Sequence, residues 1–243
     1  MGPTFVHYIP IVTTILAVPF ALEIYRRYRA HPDRLHLLWW AIGIATYGVG
    51  TFTEAATTLV GWNEPTFRAW YISGALLGGA PLAQGTVYLL LPRRVAHGLT
   101  AILIGFIAIA SVAVLLSPIN YTLVESHRLT GAVLEWRWVR YFSPFVNLYA
   151  VVFLIGGAIL SALRFSGNPA TRLRAVANVL IAAGAILPGI GGTATRMGYT
   201  EVLYVTELAG LLLTWTGYRM SVRPVVSHDM SPAHIRHPAP GIP

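Results

Sequence analysis

The stretch AWYISGALLGGAPLAQGTVYLLL, residues 69–91, is long enough to cross a lipid bilayer as one helix. Gly74, Gly78, Pro81 and Gly85 recur in it at offsets of 0, 4, 7 and 11, which places them on one face of a helix. A face with almost no side chains lets neighbouring backbones approach closely, as they do where helices associate in lipid. We therefore expect a membrane helix at the centre of a bundle, with these four residues serving helix packing.

The composition of the whole chain is that of an integral membrane protein. Its 243 residues are 55% hydrophobic and 11% charged, with a mean hydropathy of +0.61. The apolar runs predict seven spans: 4–25, 37–60, 69–91, 99–116, 141–163, 176–194 and 200–218. The predicted fold class is all-α, a polytopic seven-helix membrane bundle over residues 1–224. Residues 225–243 form a tail rich in Pro and His, which we expect to be disordered unless a partner binds it.

The arginines predict the orientation of the bundle, because cytoplasmic connections of membrane proteins carry an excess of positive charge. All 17 basic residues are Arg. With the N-terminus outside and the C-terminus cytoplasmic, five stay outside and twelve are cytoplasmic: Arg26, Arg27, Arg29, Arg34, Arg93, Arg94, Arg164, Arg172, Arg174, Arg219, Arg223 and Arg236. We expect a multi-pass protein of a cell membrane, specifically a bacterial inner membrane. Because the net charge of +8 follows from topology, nucleic acid is not an expected partner.

Missing residue types exclude several chemistries. The chain has no Cys and no Lys, which removes thiol nucleophiles, thiolate metal sites and Schiff bases. Only His7 lies in a predicted span, so a bis-histidine haem is not expected, and His228, His234 and His237 in the tail are irregularly spaced for a metal. We expect no covalently bound cofactor. A non-covalent lipophilic ligand or pigment is the cofactor class left open, and a non-enzymatic function is favoured.

Two glutamates within predicted spans are the main candidates for a functional site. Glu54 and Glu207 each lie about six residues inside the outer end of a helix, so both are expected ~9 Å below the outer interface. Around Glu54, a polar stripe is formed by Tyr47, Thr51 and Thr58 at helical spacing. An acid inside the bilayer costs at least ~2.5 kcal/mol, so both side chains are expected to face the bundle interior.

Other polar residues are expected near this pair. The side chains predicted to reach the same outer third are Asn147, Thr193, Thr195, Tyr204 and His7. Tyr204 precedes Glu207 by three residues and is expected to cover it or hydrogen-bond to it. Arg68 and Arg196 stand at the outer rim, from which a long side chain can reach a carboxylate. Two interpretations remain open: a ligand- or proton-binding cavity, and hydrogen bonds that only hold helices together.

Three further features lead to separate expectations. Gln84, followed by Tyr88 one turn later, is expected to hydrogen-bond to the second or sixth span, as a functional or a structural residue. Glu23 is expected to pair with Arg26 and Arg27 on its own helix. Pro188 is expected to kink the sixth span or to end its regular hydrogen bonding.

The longest connection, residues 117–140, ends in the aromatic and basic sequence LTGAVLEWRWVRYF, which is typical of interfacial segments. It is expected either to lie flat on the membrane as a lid or to begin the fifth helix. A weak repeat is also visible between GTFTEAATTLVGW and GGTATRMGYTEVLYV. It favours helices 1–3 and 5–7 as parallel repeats joined by helix 4.

The chain resembles known seven-helix families in part. Its topology, with Asn178 and Pro188 on the sixth helix, is similar to the microbial rhodopsins, but the retinal lysine of that family would fall near Leu208 and the chain has none. The topology also resembles small sugar carriers built from three, one and three helices, whose Pro-Gln signature is missing. The segments GTFTEA, FRAWY and QGTVYLLLPRR resemble more closely those of an uncharacterised bacterial seven-helix family. That resemblance implies nothing about mechanism.

Three functions are compatible with these observations. The first is a receptor-like or ligand-binding membrane protein with a polar cavity in its outer half, formed by Glu54, Glu207 and their neighbours. The second is a proton-coupled carrier of a small solute, in which the same carboxylates titrate. The third is an accessory subunit of a larger membrane complex. The expected partners are accordingly membrane lipid, a small-molecule ligand, and a homo-oligomer or larger complex.

Overall fold

The computed structural model describes residues 5–126, 128–168 and 171–222, and its regular elements in these ranges are all helical. Five of the helices are long and apolar enough to cross a membrane: Phe5–Ala30, Leu35–Val60, Arg93–Leu116, Arg137–Ser166 and Arg172–Arg196. This is the architecture expected of a polytopic α-helical membrane protein. The predicted tail, residues 225–243, lies outside the described residues, as do Arg223 and Arg236.

The helices follow one another through short connections, apart from one long excursion. In chain order they are α1 (Ile9–Ala30), α2 (Leu35–Val60), α3 (Glu64–Trp70), α4 (Ala80–Leu90), α5 (Arg93–Leu116), α6 (Phe142–Ala150), α7 (Gly156–Ser166), α8 (Arg172–Arg196) and α9 (Thr200–Ser221). A first π-helical segment, Tyr71–Leu77, follows α3, and a second, Val151–Ile155, joins α6 to α7. The third predicted span therefore consists of α3, the first π segment and α4, and the fifth consists of α6, the second π segment and α7.

The third predicted span is not one helix, so that expectation is wrong. The Asn63 side chain caps its start by accepting a hydrogen bond from the Thr66 amide at 3.0 Å. The helix then widens into the first π segment and breaks at Gly78, whose φ of +38° disfavours other residues. Pro81 lies in the first turn of α4, where a missing amide N–H costs nothing. Gly74, Gly78, Pro81 and Gly85 consequently do not share one continuous helix face.

The glycines on either side of the break nevertheless allow close packing. A Cβ atom built on Gly50 of α2 would lie 3.4 Å from the Cα of Gly74. A Cβ on Gly85 would lie 2.9 Å from the carbonyl oxygen of His36, again on α2. The two halves of the third span therefore both approach the α2 backbone, as expected for small residues at helix interfaces in lipid.

The spans form a ring rather than a bundle around the third span. Its order is α1, α2, the third span, the fifth span, α8 and α9, which returns to α1. α5 lies outside the ring against α4 and the first π segment. The expected central position of the third span is wrong, because α2 and the fifth span flank it and its remaining side faces an internal cavity.

The long connection forms a cap over one end of the ring. The cap is defined here as residues 117–126 and 128–136, and the end that it covers is called the cap end. It folds back on itself through a bridge between Ile119 and Leu134, while Arg137–Tyr141 forms a turn that leads into α6. The part nearest α6 thus begins the fifth span, and the rest packs on a buried cluster: Phe67, Tyr71, Ala113, Val114, Ile119, Leu129, Val133, Leu134 and Val139.

Glu23 finds its partners on another helix. Glu23 was expected to pair with Arg26 and Arg27, but its Oε2 accepts hydrogen bonds from Trp215 at 2.9 Å and from Arg219 Nη2 at 2.8 Å. It ties α1 to α9, because partners on a neighbouring helix can satisfy the carboxylate better than residues of its own turn.

Pro188, expected to kink or end its helix, lies inside α8, which continues to Arg196.

Arg68 holds the cap end together instead of reaching an acid in the membrane. Its Nη2 lies 2.7 Å from Glu64 Oε1, and its guanidinium donates to the carbonyl oxygens of Val114 and Ser117. Tyr121 of the cap donates to Glu64 Oε2 at 2.7 Å. The end of α5, the start of α3 and the cap are therefore joined through one ion pair.

We expect Glu64→Gln to loosen the cap in a pH-dependent way. The hydrogen bonds from Tyr121 and Arg68 lower the pKa of Glu64. A carboxylate with a lowered pKa stabilises the fold above its unfolded-state pKa, and this contribution is lost as the pH falls through the folded-state value. At neutral pH, hydrogen exchange in residues 118–126 should be faster in the variant than in the wild type. As the pH falls through the folded-state pKa, the difference should vanish.

Glu125→Gln is the matched control for this experiment. Glu125 pairs with Arg128 inside the cap, at 2.9 Å, and does not connect the cap to α3 or α5. Hydrogen exchange of the cap is expected to be nearly unchanged by this substitution. Equal exchange in both variants and the wild type would contradict the role assigned to Glu64.

Candidate functional site

The two glutamates singled out in the sequence meet inside the ring. Glu54 on α2 is 3% exposed, and its Oε1 accepts a hydrogen bond from the indole of Trp70 at 2.9 Å. Its carboxyl group is within hydrogen-bonding reach of the carboxyl group of Glu207 on α9. The Oε2 atoms of both residues are buried, and no N–H or O–H donor of the described residues reaches them.

The chemistry of such a pair follows from its geometry. Two carboxyl groups can hydrogen-bond to each other only if one of them carries a proton. Two neighbouring negative charges in a medium of low dielectric constant would repel strongly, and each would also lose its hydration. One shared proton removes both costs. The pair is therefore suited to hold a proton, or to offer one donor and several acceptor positions to a ligand.

The neighbours of the pair fit the predicted stripe only in part. Tyr47 donates its hydroxyl proton to the backbone carbonyl of Glu207 at 2.8 Å, which links α2 to α9. Thr51 is buried, with its hydroxyl 2.9 Å from that of Thr14 on α1. Tyr204, expected to cover Glu207, packs edge-on against the ring of His7 with 5.8 Å between centroids. The structure thus places Tyr47 and Thr51 at the helix contacts around the pair.

The remaining predicted residues divide between two places. Asn147 lines the cavity from α6 and faces the break of the third span, since a Cβ on Gly78 would lie 3.6 Å from its Oδ1. Gln84 is fully buried and does not line the cavity. Its amide donates to Thr100 Oγ1 at 2.8 Å and accepts from Tyr149. The expected partners on the second or sixth span are wrong, because Gln84 points to the other side of the ring wall, toward α5 and α6.

The pair lines a cavity of about 1330 Å³ that extends along the ring. Helices α1, α2, α8 and α9 and the third and fifth spans line it, whereas α5 contributes no lining residue. Thr193, Thr195 and Arg196, expected near the outer side, also line it, as does Pro188. Most of its wall is apolar or glycine, with Phe20, Ile44 and Leu211 toward the end opposite the cap. The cavity is therefore large enough for a small organic ligand.

Charged side chains mark both ends of this cavity. Arg137, Arg140 and Arg196 line it at the cap end, and Arg27, Arg34 and Arg174 line it at the opposite end. Trp70, Arg137 and Arg140 are cavity residues that the sequence did not single out. The only available signal was their position in interfacial aromatic and basic runs, which predicts depth in the membrane but not which side faces inward.

The described residues include no group of three or more His, Asp or Glu side chains placed to hold a metal ion. His228, His234 and His237 lie outside the described part of the chain. Comparisons with protein-family models, curated proteins and solved structures give no match to the chain. The position of the acid pair in the cavity is accordingly the observation that bears most directly on function.

Proposed function

We propose that this protein is a seven-span membrane protein that binds a small molecule in its central cavity and does not act as an enzyme. The third and seventh spans are the broken segment from α3 to α4 and the helix α9. The N-terminus and the cap lie outside, and the C-terminus lies in the cytoplasm of a bacterial cell. The observation that carries the proposal is the Glu54–Glu207 pair in the wall of a cavity of about 1330 Å³.

The cavity combines the features of a ligand site. Most of its wall offers apolar contact, while the acid pair and Asn147 supply a few polar groups that can orient a ligand. Buried oxygens without a donor, such as the Oε2 atoms of the two glutamates, are costly unless a proton, a water molecule or a ligand satisfies them. A ligand that donates a hydrogen bond would therefore recover this cost.

The test is to purify the full chain in a mild detergent and to identify bound small molecules by native mass spectrometry and an absorption spectrum. We expect a molecule to co-purify with the wild type and its occupancy to fall at least tenfold in Glu54→Gln and Glu207→Gln. Glu201→Gln is the matched control, because Glu201 lies on the same helix with its side chain 48% exposed. Its occupancy should equal that of the wild type. A wild type without a bound molecule, or equal occupancy in all four proteins, would refute the proposal.

A proton-coupled carrier is the second candidate, and the break in the third span favours it. Gly78 and Gly79 interrupt this span at the cavity wall, close to Asn147. Interrupted helices beside a central site are typical of secondary transporters, in which the two halves of a span can move separately. The acid pair would supply the titrating group.

Proteoliposomes containing a pH-sensitive dye test this alternative. On addition of the molecule that co-purifies with the wild type, proton movement should be seen with the wild type and should be absent in the double variant Glu54→Gln/Glu207→Gln. A wild-type signal no larger than that of empty vesicles would exclude the carrier, while leaving ligand binding untouched.

A further inference from the structure

The cavity is bordered by a gap between the cap-side part of the fifth span and α8. α7 and the second π segment pack against α8, whereas α6, the cap-side part of the fifth span, makes at most marginal backbone contact with it. On α8, Gly189 and Gly192 face open space, since a Cβ on either would have no neighbour within 4 Å. Gly184 and Gly191 of the same helix, in contrast, pack closely against α9. The slot between α6 and α8 is therefore confined to the cap-side half.

The walls of this slot are apolar and accessible. Ile190 on α8 is 51% exposed and Val151, the first residue of the second π segment after α6, is 50% exposed, and both also line the cavity. Because α6 and α8 make at most marginal backbone contact, these exposed lining residues border the gap between the two helices. Because the cap-side half of α8 is a membrane-spanning segment, the gap faces lipid rather than water.

Three arginines stand at the cap end of the slot, on both of its sides. Arg137 and Arg140 precede α6, and Arg196 ends α8. Arg140 and Arg196 both line the cavity at this end, as does Tyr71. Within the described residues none of the three has a salt bridge or hydrogen bond, unlike Arg68 and Arg128 at the same end.

We propose that the slot admits a lipid with an anionic phosphate headgroup from the cap-side leaflet into the cavity. The phosphate binds Arg137, Arg140 and Arg196, because guanidinium groups pair with phosphate oxygens in a bidentate way. An acyl chain lies along the open faces of Gly189 and Gly192. This inference rests on the proposed function, since it names the ligand class and the route by which the ligand reaches the Glu54–Glu207 pair.

The experiment measures thermal stabilisation of the full chain in detergent by added phosphatidylglycerol, phosphatidylcholine or inorganic phosphate. We expect stabilisation by phosphatidylglycerol alone. The concentration needed for half of the effect should rise at least tenfold in Arg140→Gln/Arg196→Gln. Gly189→Trp should abolish the effect by filling the slot. Two controls should respond like the wild type: Arg164→Gln, at the opposite end and outside the cavity lining, and Gly98→Trp, in open space on α5.

Three results of the stabilisation experiment would overturn the inference. Equal stabilisation by phosphatidylcholine would show that the arginines do not select an anionic headgroup. Equal stabilisation by inorganic phosphate would show a site for soluble anions. An unchanged response in Arg140→Gln/Arg196→Gln would show that the headgroup binds elsewhere.

If the molecule found by mass spectrometry is lost in Glu54→Gln but kept in the arginine variant, the lipid route fails while the proposed cavity function stands. If it is kept in both, both fail.

Discussion

Gly210→Ala is expected to destabilise the protein by about 1–3 kcal/mol, and Gly210→Leu to prevent folding, because α8 and α9 pack with their backbones in contact. A Cβ on Gly210 would lie 2.7 Å from the carbonyl oxygen of Gly184. A Cβ on Gly184 would meet the carbonyl oxygen of Gly210 at the same distance and the amide nitrogen of Thr214 at 2.9 Å. Backbone atoms cannot rotate away as a side chain can, so the helices must separate.

Thermal unfolding in detergent, followed by circular dichroism, measures this effect. The matched control is Gly189→Ala on α8, where a Cβ would meet nothing within 4 Å. Alanine there should leave stability unchanged or raise it by up to about 1 kcal/mol, because alanine favours helix over glycine. If Gly210→Ala melts at the temperature of the wild type, the close packing of α8 and α9 is wrong.

Gln84→Leu is expected to destabilise the protein by about 1–3 kcal/mol without affecting ligand occupancy in the cavity. The Gln84 amide donates to Thr100 and to the carbonyl of Ala96 at 3.2 Å, and it accepts from Tyr149. Leucine matches the apolar surroundings but leaves the Tyr149 hydroxyl without its acceptor. The buried cluster joins the third span to α5 and α6, so its loss should loosen three segments at once.

A double-mutant cycle with Tyr149→Phe isolates this interaction. The destabilisation of the double variant should be smaller than the sum of the two single effects by about 0.5–1.5 kcal/mol, since each substitution removes the same hydrogen bond. Tyr25→Phe serves as the control for a lost hydroxyl, because Tyr25 makes ring contact with Tyr28 and no hydrogen bond among the described residues. Strict additivity, or a loss of ligand occupancy in Gln84→Leu, would contradict the structural role assigned to Gln84.

Part of the site could be predicted from local sequence. Helical spacing placed Tyr47 and Thr51 near Glu54, and counting residues from the helix ends placed Glu54 and Glu207 at one depth. The structure places both glutamates in the wall of one cavity, as neighbours. Local spacing was a poor guide to partners on other helices. Glu23 binds Arg219 on α9, Arg68 donates to the backbone at the end of α5, and Gln84 faces α5 and α6.

The sequence by itself indicated a polytopic α-helical membrane protein and its apolar segments, because these depend on length and composition along the chain. Only the tertiary structure decided the ring, the break at Gly78 inside the stretch of residues 69–91, and the cavity between the spans. The physical reason is that lipid and a neighbouring helix are about equally apolar. Hydrophobicity therefore marks a span but does not determine which face meets lipid, a helix or the cavity.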